Sequence, residues 1–331
     1  MKGNGIKFAK YFREYKVRNV LAMVKNNGRP PLACDARADG KLVVITGATA
    51  GIGRAAAHKF ASRGADLVCI NRNREKSEAL RQEIEESYGV SCGIILADLS
   101  SLAESRGAAA RLLELERPID VLVHNAGIYL TKRQLTPEGI EKVFAVNYLS
   151  SFLMNFLLAD RLKAQGDCRI LLVNSEGHRF AAWGLRVDDL DWEKRRYAGL
   201  ASYGSAKLAQ LLSMIVFDER FRESGVSINA MHPGAVKTET GQDNGPVYRW
   251  FKRRVIDRTL KSPERSAEAL YYLGVSREIE SVHGKFFNLT TEEEPAPPAL
   301  DKDVARELWE KSLEWGGLRA GTAKGMGDQA P

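Results

Sequence analysis

The chain has 331 residues, 44% hydrophobic and 27% charged, which is apolar material enough for one large domain or two ordinary ones and excludes disorder throughout. Its 49 basic and 42 acidic residues leave a formal net charge of +7, mostly ordinary solvated surface and only a weak pointer to an anionic partner such as nucleic acid, a membrane surface or a phosphorylated ligand. Cys34, Cys69, Cys92 and Cys168 are scattered without metal-ligand spacing, so the reading is a reducing, cytoplasmic compartment and no metal site.

Residues 1–38 form a basic N-terminal extension. Within it, residues 5–25 mix Lys7, Lys10, Arg13, Lys16 and Arg18 with Phe8, Phe12, Tyr15, Val20 and Leu21. That mixture suits an amphipathic helix, either a peripheral membrane contact or a helix packed on its own domain. The stretch lacks the continuous apolar core of a signal peptide, and no later segment reaches the roughly 18 apolar residues of a membrane span. A soluble or peripheral protein is therefore expected. Asn26-Asn27-Gly28-Arg29-Pro30-Pro31 reads as a linker.

From residue 39 to 290 apolar runs alternate with amphipathic segments. Strands are expected at 41–46, 65–70, 91–97, 119–124, 169–174, 226–231 and 285–288. Helices are expected after residue 53 and at 75–88, 101–116, 139–162, 202–222 and 263–273. Alternation with near-continuous Val/Ile/Leu strands predicts a single α/β domain, a Rossmann-type doubly wound parallel sheet of about seven strands with helices on both faces. Residues 291–331 read as an acidic, proline-rich connector to 298, a helix at 301–315 and a glycine-rich tail.

Two stretches carry chemistry. The turn Gly47-Ala48-Thr49-Ala50-Gly51-Ile52-Gly53 lies between the first strand and its helix, where a backbone approaches a pyrophosphate and helix amides bind the anion. Gly47, Thr49, Gly51, Ile52 and Gly53 are its candidate cofactor contacts. After the second strand Arg72 stands where an acidic residue would bind ribose hydroxyls, and its guanidinium suits a 2′-phosphate. NADP(H) is therefore favoured, with NAD(H) left open. In Tyr203-Gly204-Ser205-Ala206-Lys207 the phenol and the ammonium share one helix face, and a nearby cation favours phenolate, the requirement of a general acid/base.

Thr46-Gly47-x-x-x-Gly51-x-Gly53, Asp98-Leu99, His124-Asn125-Ala126-Gly127, Asn147, Ser175, Tyr203-x-x-x-Lys207 and His232-Pro233-Gly234 occur in one order. Together they resemble the short-chain dehydrogenase/reductase family over about residues 39–290. Asn71-Arg72, the long segment between Ser175 and Tyr203, Ser262-Pro263-Glu264, Gly284-Lys285-Phe286-Phe287 and Leu308-Trp309-Glu310-Lys311-Ser312 look most like its retinol-dehydrogenase-like branch.

The resemblance implies a tetrad. Tyr203 is the acid/base, Lys207 lowers its pKa and holds the nicotinamide ribose, Ser175 binds the substrate oxygen, and Asn147 anchors a water in a proton relay. It further implies that Asp98 and Leu99 meet the adenine and that Asn125, Ala126 and Gly127 support the sheet and line the cofactor pocket. Pro233, Gly234, Val236 and Thr238 would cover the nicotinamide, and residues 239–261, with Tyr248, Trp250 and Phe251 beside Lys252, Arg253, Arg254 and Arg258, would form a substrate lid.

His124, where asparagine is usual, and Asn174, where serine is usual, depart from the family pattern. His124, His178 and His232 read as satisfied buried histidines. The expected reaction is hydride transfer between nicotinamide and the carbonyl or alcohol of a hydrophobic small molecule of lipid, retinoid, steroid or polyketide type. A homodimer or homotetramer is implied, unless the C-terminal helix packs on its own subunit. The rival readings are a non-catalytic NADP-binding interaction protein on the same fold and, against the spread of acidic residues, a nucleic-acid binder.

Overall fold

All five residues of β1 (Leu42–Thr46) are buried, because Leu42 and Val44 enter one hydrophobic core while Val43 and Ile45 enter a second core on the other face of the sheet. This is a computed structural model that describes residues 11, 13–16, 19, 25, 26, 28–234 and 262–318. The same two-sided burial explains the unbroken apolar runs of β2 (Asp66–Asn71), β4 (Val121–His124), β5 (Cys168–Val173) and β6 (Val226–His232). With β3 (Cys92–Leu96) and β7 (Phe286–Asn288) they make seven parallel strands.

An eighth strand, β8 (Thr291–Glu293), pairs antiparallel with β7 and closes the order β3-β2-β1-β4-β5-β6-β7-β8. Residues 291–298 are thus more than the connector their composition suggests. Three residues, two of them glutamates, are too few to display alternation, and a short charged strand is how a sheet edge is kept from pairing further.

Helices α1 (Gly51–Ser62), α2 (Arg74–Tyr88) and α6 (Glu264–Val275) contribute to one core. Helices α3 (Leu102–Leu113), α4 (Lys142–Gln165), α5 (Gly199–Phe221) and α7 (Lys302–Trp315) contribute to the other. By length and hydropathy α4 and α5 would span a membrane, contrary to the sequence reading that no segment does, but 83% and 72% of their apolar windows are buried inside this fold. Their apolarity is that of core helices.

The C-terminal helix packs on its own chain. Trp309 of α7 meets the rings of Phe152 at 4.9 Å and Phe217 at 4.8 Å, and the Ser312 hydroxyl lies 2.7 Å from that of Tyr148. N-terminal residues join the same end of the chain: the Tyr11 phenol donates to Asp301 at 2.6 Å, and the Asn26 amide to Glu293 at 2.8 Å. Most of residues 5–25, the segment 239–261 and the tail from 319 lie outside the described residues.

Strand order reverses between β1 and β4, since β2 and β3 lie to one side of β1 and β4 to the other. In open α/β sheets a ligand crevice forms at the carboxyl ends of the strands at such a point. Because Trp309 fills the gap between α4 and α5, Trp309→Ala is expected to cost about 3–5 kcal/mol in urea unfolding. A loss below about 1 kcal/mol would mean that α7 contributes little to the core.

Candidate active site

The chain leaves β1 through a turn that only glycine accommodates. Gly47 and Gly51 have φ of 69° and 52°, and a Cβ on Gly53 would stand 2.2 Å from the Gly47 carbonyl oxygen. The helix that follows is capped by Ala50, whose side chain accepts no bond, so the first amides of α1 point into the crevice uncovered by a side-chain cap. Thr49 and Gly51 are half-buried at its rim and Ile52 is buried behind it. Asn71, the last residue of β2, accepts from the Ala48 amide at 2.7 Å, while its own Nδ2 is buried without a hydrogen-bond partner. A narrow backbone cradle, unclaimed helix amides and an unused buried donor fit the pyrophosphate end of a dinucleotide.

Asn125 locks this turn to β4. Its Nδ2 donates to the Thr46 and Gly47 carbonyls, both at 3.0 Å, and the Thr46 hydroxyl accepts from the Asn125 and Ala126 amides, also at 3.0 Å. Asn125, Ala126 and Gly127 therefore support the sheet at the mouth of the crevice. Arg72 is exposed just past β2. Asp98 follows β3 and caps its own loop by accepting from the Ser100 amide at 2.9 Å, with Leu99 buried beside it. Pro233 and Gly234 follow β6, where the Pro233 carbonyl accepts from Ser266 at 2.7 Å. Val236 and Thr238 lie outside the described residues.

Ser175, Tyr203 and Lys207 come together. Ser175 lies two residues past β5; its hydroxyl accepts from the Gly177 amide at 3.0 Å and is near enough to the Tyr203 phenol to lower its pKa. A Cβ on Gly177 would fall 2.6 Å from the Tyr203 ring, so glycine is required for the phenol to sit there. One helical turn on, the Lys207 ammonium donates to the Val173 carbonyl at 2.7 Å and lies 5.9 Å from the Tyr203 ring centre. Asn147 sits in a π-helical segment, Ala145–Leu149, within α4, and its amide is committed to Ile128: Oδ1 accepts from the Ile128 amide at 2.7 Å and Nδ2 donates to its carbonyl at 2.9 Å. Inserted π turns are frequent at functional sites, because they re-aim one side chain without ending a helix.

Several residues that build this site carry no motif. Asn174 donates to the Lys207 carbonyl and to Gln210, both at 2.9 Å, and accepts from the Ser175 amide at 2.8 Å, so the departure from serine gives a bridge between β5 and α5. His178 is buried, with Nε2 accepting from the Ala296 amide at 3.0 Å. Its Nδ1 must then carry the proton and donate to the Ser175 carbonyl at 2.8 Å. His124 bonds Asn155 at 2.7 Å, and His232 accepts from the Glu176 amide at 3.3 Å. Burial lowers His124 and His232 to about 4 and His178 to about 3, so all three are neutral structural groups.

Residues 41–184 match the family described as short chain dehydrogenase. Human retinol dehydrogenase 13 is 37% identical over 295 residues, with 87% of this chain and 88% of that protein covered. Mouse polyprenol dehydrogenase is 32% identical, with 93% and 92% covered. Among solved structures, a short-chain dehydrogenase from Sphingobium yanoikuyae in complex with NADPH is 28% identical, with a TM-score of 0.55 over 69% of this chain and 82% of that one.

Burial dominates the electrostatics. It raises the Tyr203 phenol above its usual value, partly offset by the nearby Ser175 hydroxyl, and it lowers Lys207 to about 7. The expected lowering of Tyr203 by Lys207 does not appear in this arrangement; the ammonium is engaged with the Val173 carbonyl. A lysine with a depressed folded-state pKa contributes stability that is fully present above its unfolded value, about 10.5, and is lost as pH falls through about 7. Melting temperatures of the ligand-free protein are therefore expected to fall across that window, and Lys207→Met to flatten the slope. Parallel slopes in the two proteins would contradict a Lys207 whose pKa is depressed by burial.

Proposed function

The chain belongs to the short-chain dehydrogenase/reductase family, in its retinol-dehydrogenase-like branch, and from that premise we propose an NADP(H)-dependent oxidoreductase acting on the carbonyl or alcohol of a hydrophobic small molecule. The observation that carries this reading is the convergence of Ser175, Tyr203 and Lys207 beside the glycine cradle at the strand-order switch. Gly47, Gly51 and Gly53, with Thr49 and Ile52, hold the pyrophosphate. Asp98 and Leu99 border the adenine, and Pro233, Gly234, Val236 and Thr238 the nicotinamide. Arg72, just past β2, reads the 2′-phosphate, and the NADPH held by the similar Sphingobium structure supports that preference.

When bound, the nicotinamide gives or takes the hydride. Tyr203 delivers a proton to the carbonyl oxygen in reduction, or removes it from the alcohol in oxidation, and Ser175 donates a hydrogen bond to the same oxygen. A phenol kept protonated by burial supports the reductive direction. Lys207, with a pKa near neutrality, holds the nicotinamide ribose and exchanges a proton with Tyr203. Asn147 fixes the 125–128 loop through Ile128 and anchors the water of a relay toward Lys207.

Three exposed apolar side chains, Phe180 and Trp183 shortly after Ser175 in the chain and Leu200 in the first turn of α5, are each more than half accessible. They support a lipophilic substrate, as do relatives named for retinol and for polyprenol, both long apolar alcohols. Such a substrate suits a cytoplasmic protein working at a membrane surface.

Tyr203→Phe is expected to lower kcat by about 10²–10⁴ in an NADPH-absorbance assay across apolar aldehydes and ketones, with NADPH affinity nearly intact. Substantial residual turnover would remove Tyr203 from the acid/base role. Arg72→Ala is expected to weaken NADPH about tenfold or more while barely changing NADH, measured by fluorescence titration. Equal losses for the two nucleotides would show that Arg72 does not read the phosphate.

A further inference from the structure

Glu141 has no exposed surface, and its carboxylate faces four donors. Oε1 accepts from the Val143 amide at 3.1 Å and the Tyr197 phenol at 3.2 Å; Oε2 accepts from the Phe144 amide at 2.8 Å and the Ser202 hydroxyl at 3.1 Å. An ionised carboxylate is an acceptor only, with about four lone-pair sites, so all are used. Two of the donors are the second and third amides of α4, immediately before the π-helical segment that holds Asn147. The third is the residue immediately before Tyr203, and the fourth, the Tyr197 phenol, shares its single proton between Glu141 and the Leu130 carbonyl, 3.3 Å away, tying in the loop after β4.

We propose that Glu141 is a positioning residue: a buried carboxylate clamp that sets the Tyr203 helix against the Asn147 helix, bonding Ser202 on one and the opening amides of the other. It rests on the reading of Tyr203 as the acid/base. α-Helix N-termini are commonly capped by short local side chains, and this cap is drawn from a residue whose remaining capacity reaches 61 residues along the chain to Ser202. Burial raises the Glu141 carboxyl above its usual value, and the hydrogen bonds from Phe144, Val143, Ser202 and Tyr197 offset part of that rise. A reacting geometry displaced by about 1 Å loses on the order of a hundredfold in rate, which is the sensitivity that makes such a clamp matter.

Glu141→Gln is the discriminating variant. A hydroxyl can turn to accept from the new amide, but a backbone amide cannot, and each carboxylate oxygen faces one of each. Whichever way the glutamine turns, Val143 or Phe144 is left without an acceptor. The expected result is a kcat lowered about tenfold or more, with KM for NADPH within about twofold of wild type. Ser202→Ala is expected to lower kcat by a smaller factor, and the double variant to be no slower than Glu141→Gln alone, because the Ser202 bond sets one helix against the other only while Glu141 also holds the α4 amides.

An undiminished kcat in folded Glu141→Gln, or losses from the two variants that multiply independently, would overturn the clamp. If Glu141→Gln fails to fold, Ser202→Ala decides: reduced kcat at unchanged KM supports the clamp, and wild-type kcat defeats it. A wild-type protein that turns over no carbonyl or alcohol would defeat the oxidoreductase reading and this role with it. Wild-type turnover together with unaffected variants defeats this role alone.

Discussion

Where β1 and β4 stop pairing, their last polar groups are buried and need partners other than each other, and Thr46 and Asn125 supply them. The Asn125 amide closes the Thr46 and Gly47 carbonyls, and the Thr46 hydroxyl closes the Asn125 and Ala126 amides. The crossing thus fixes two things at once. The glycine turn is held with its backbone facing the crevice, and the loop that continues to Ile128 is held rigid enough for Asn147 to grip it at both backbone groups. Without this knot, the switch in strand order would open a gap lined by unpaired amides instead of a shaped crevice.

From there the site is assembled by long-range polar contacts between elements that each pack well by themselves. Asn174 bridges the end of β5 to α5, so Ser175 and Lys207 are placed by one side chain. His178, fixed as a single neutral tautomer, joins the Ser175 carbonyl to the Ala296 amide and so couples the residue beside the phenol to the segment after β8. These groups are buried and satisfied, and polar networks of that kind favour one arrangement because a half-made network is costly. The aromatic seam of Trp309 with Phe152 and Phe217 does the corresponding work on the apolar side, seating α7 between α4 and α5.

Much of this was legible in the chain because it depends on neighbours in sequence. Strands buried on both faces must be apolar throughout, a turn with positive φ must be glycine, and a tyrosine and a lysine four apart on a helix must share a face; each statement concerns a short window. The alternation of apolar strands with helices gave the doubly wound fold, and the grouping of Asn147, Ser175, Tyr203 and Lys207 came from the family resemblance of the ordered motifs. What could not be read were the residues whose role lies in a partner far along the chain. Glu141 looks like one more surface acid until Ser202 is brought to it, Asn174 looks like a departure from a motif, and Ser312 is 164 residues from Tyr148.

The sequence by itself therefore determined the layers, the cradle and the shared helix face of Tyr203 and Lys207, since periodicity and backbone sterics act locally. Tertiary structure alone decided that residues 291–293 close the sheet as an antiparallel strand and that α7 covers its own chain. It also decided that Asn147 grips Ile128, and that burial raises the Tyr203 pKa while lowering that of Lys207 to about 7. Those outcomes depend on desolvation and on which polar groups are left to satisfy one another once the core has closed, quantities that exist only in the folded chain.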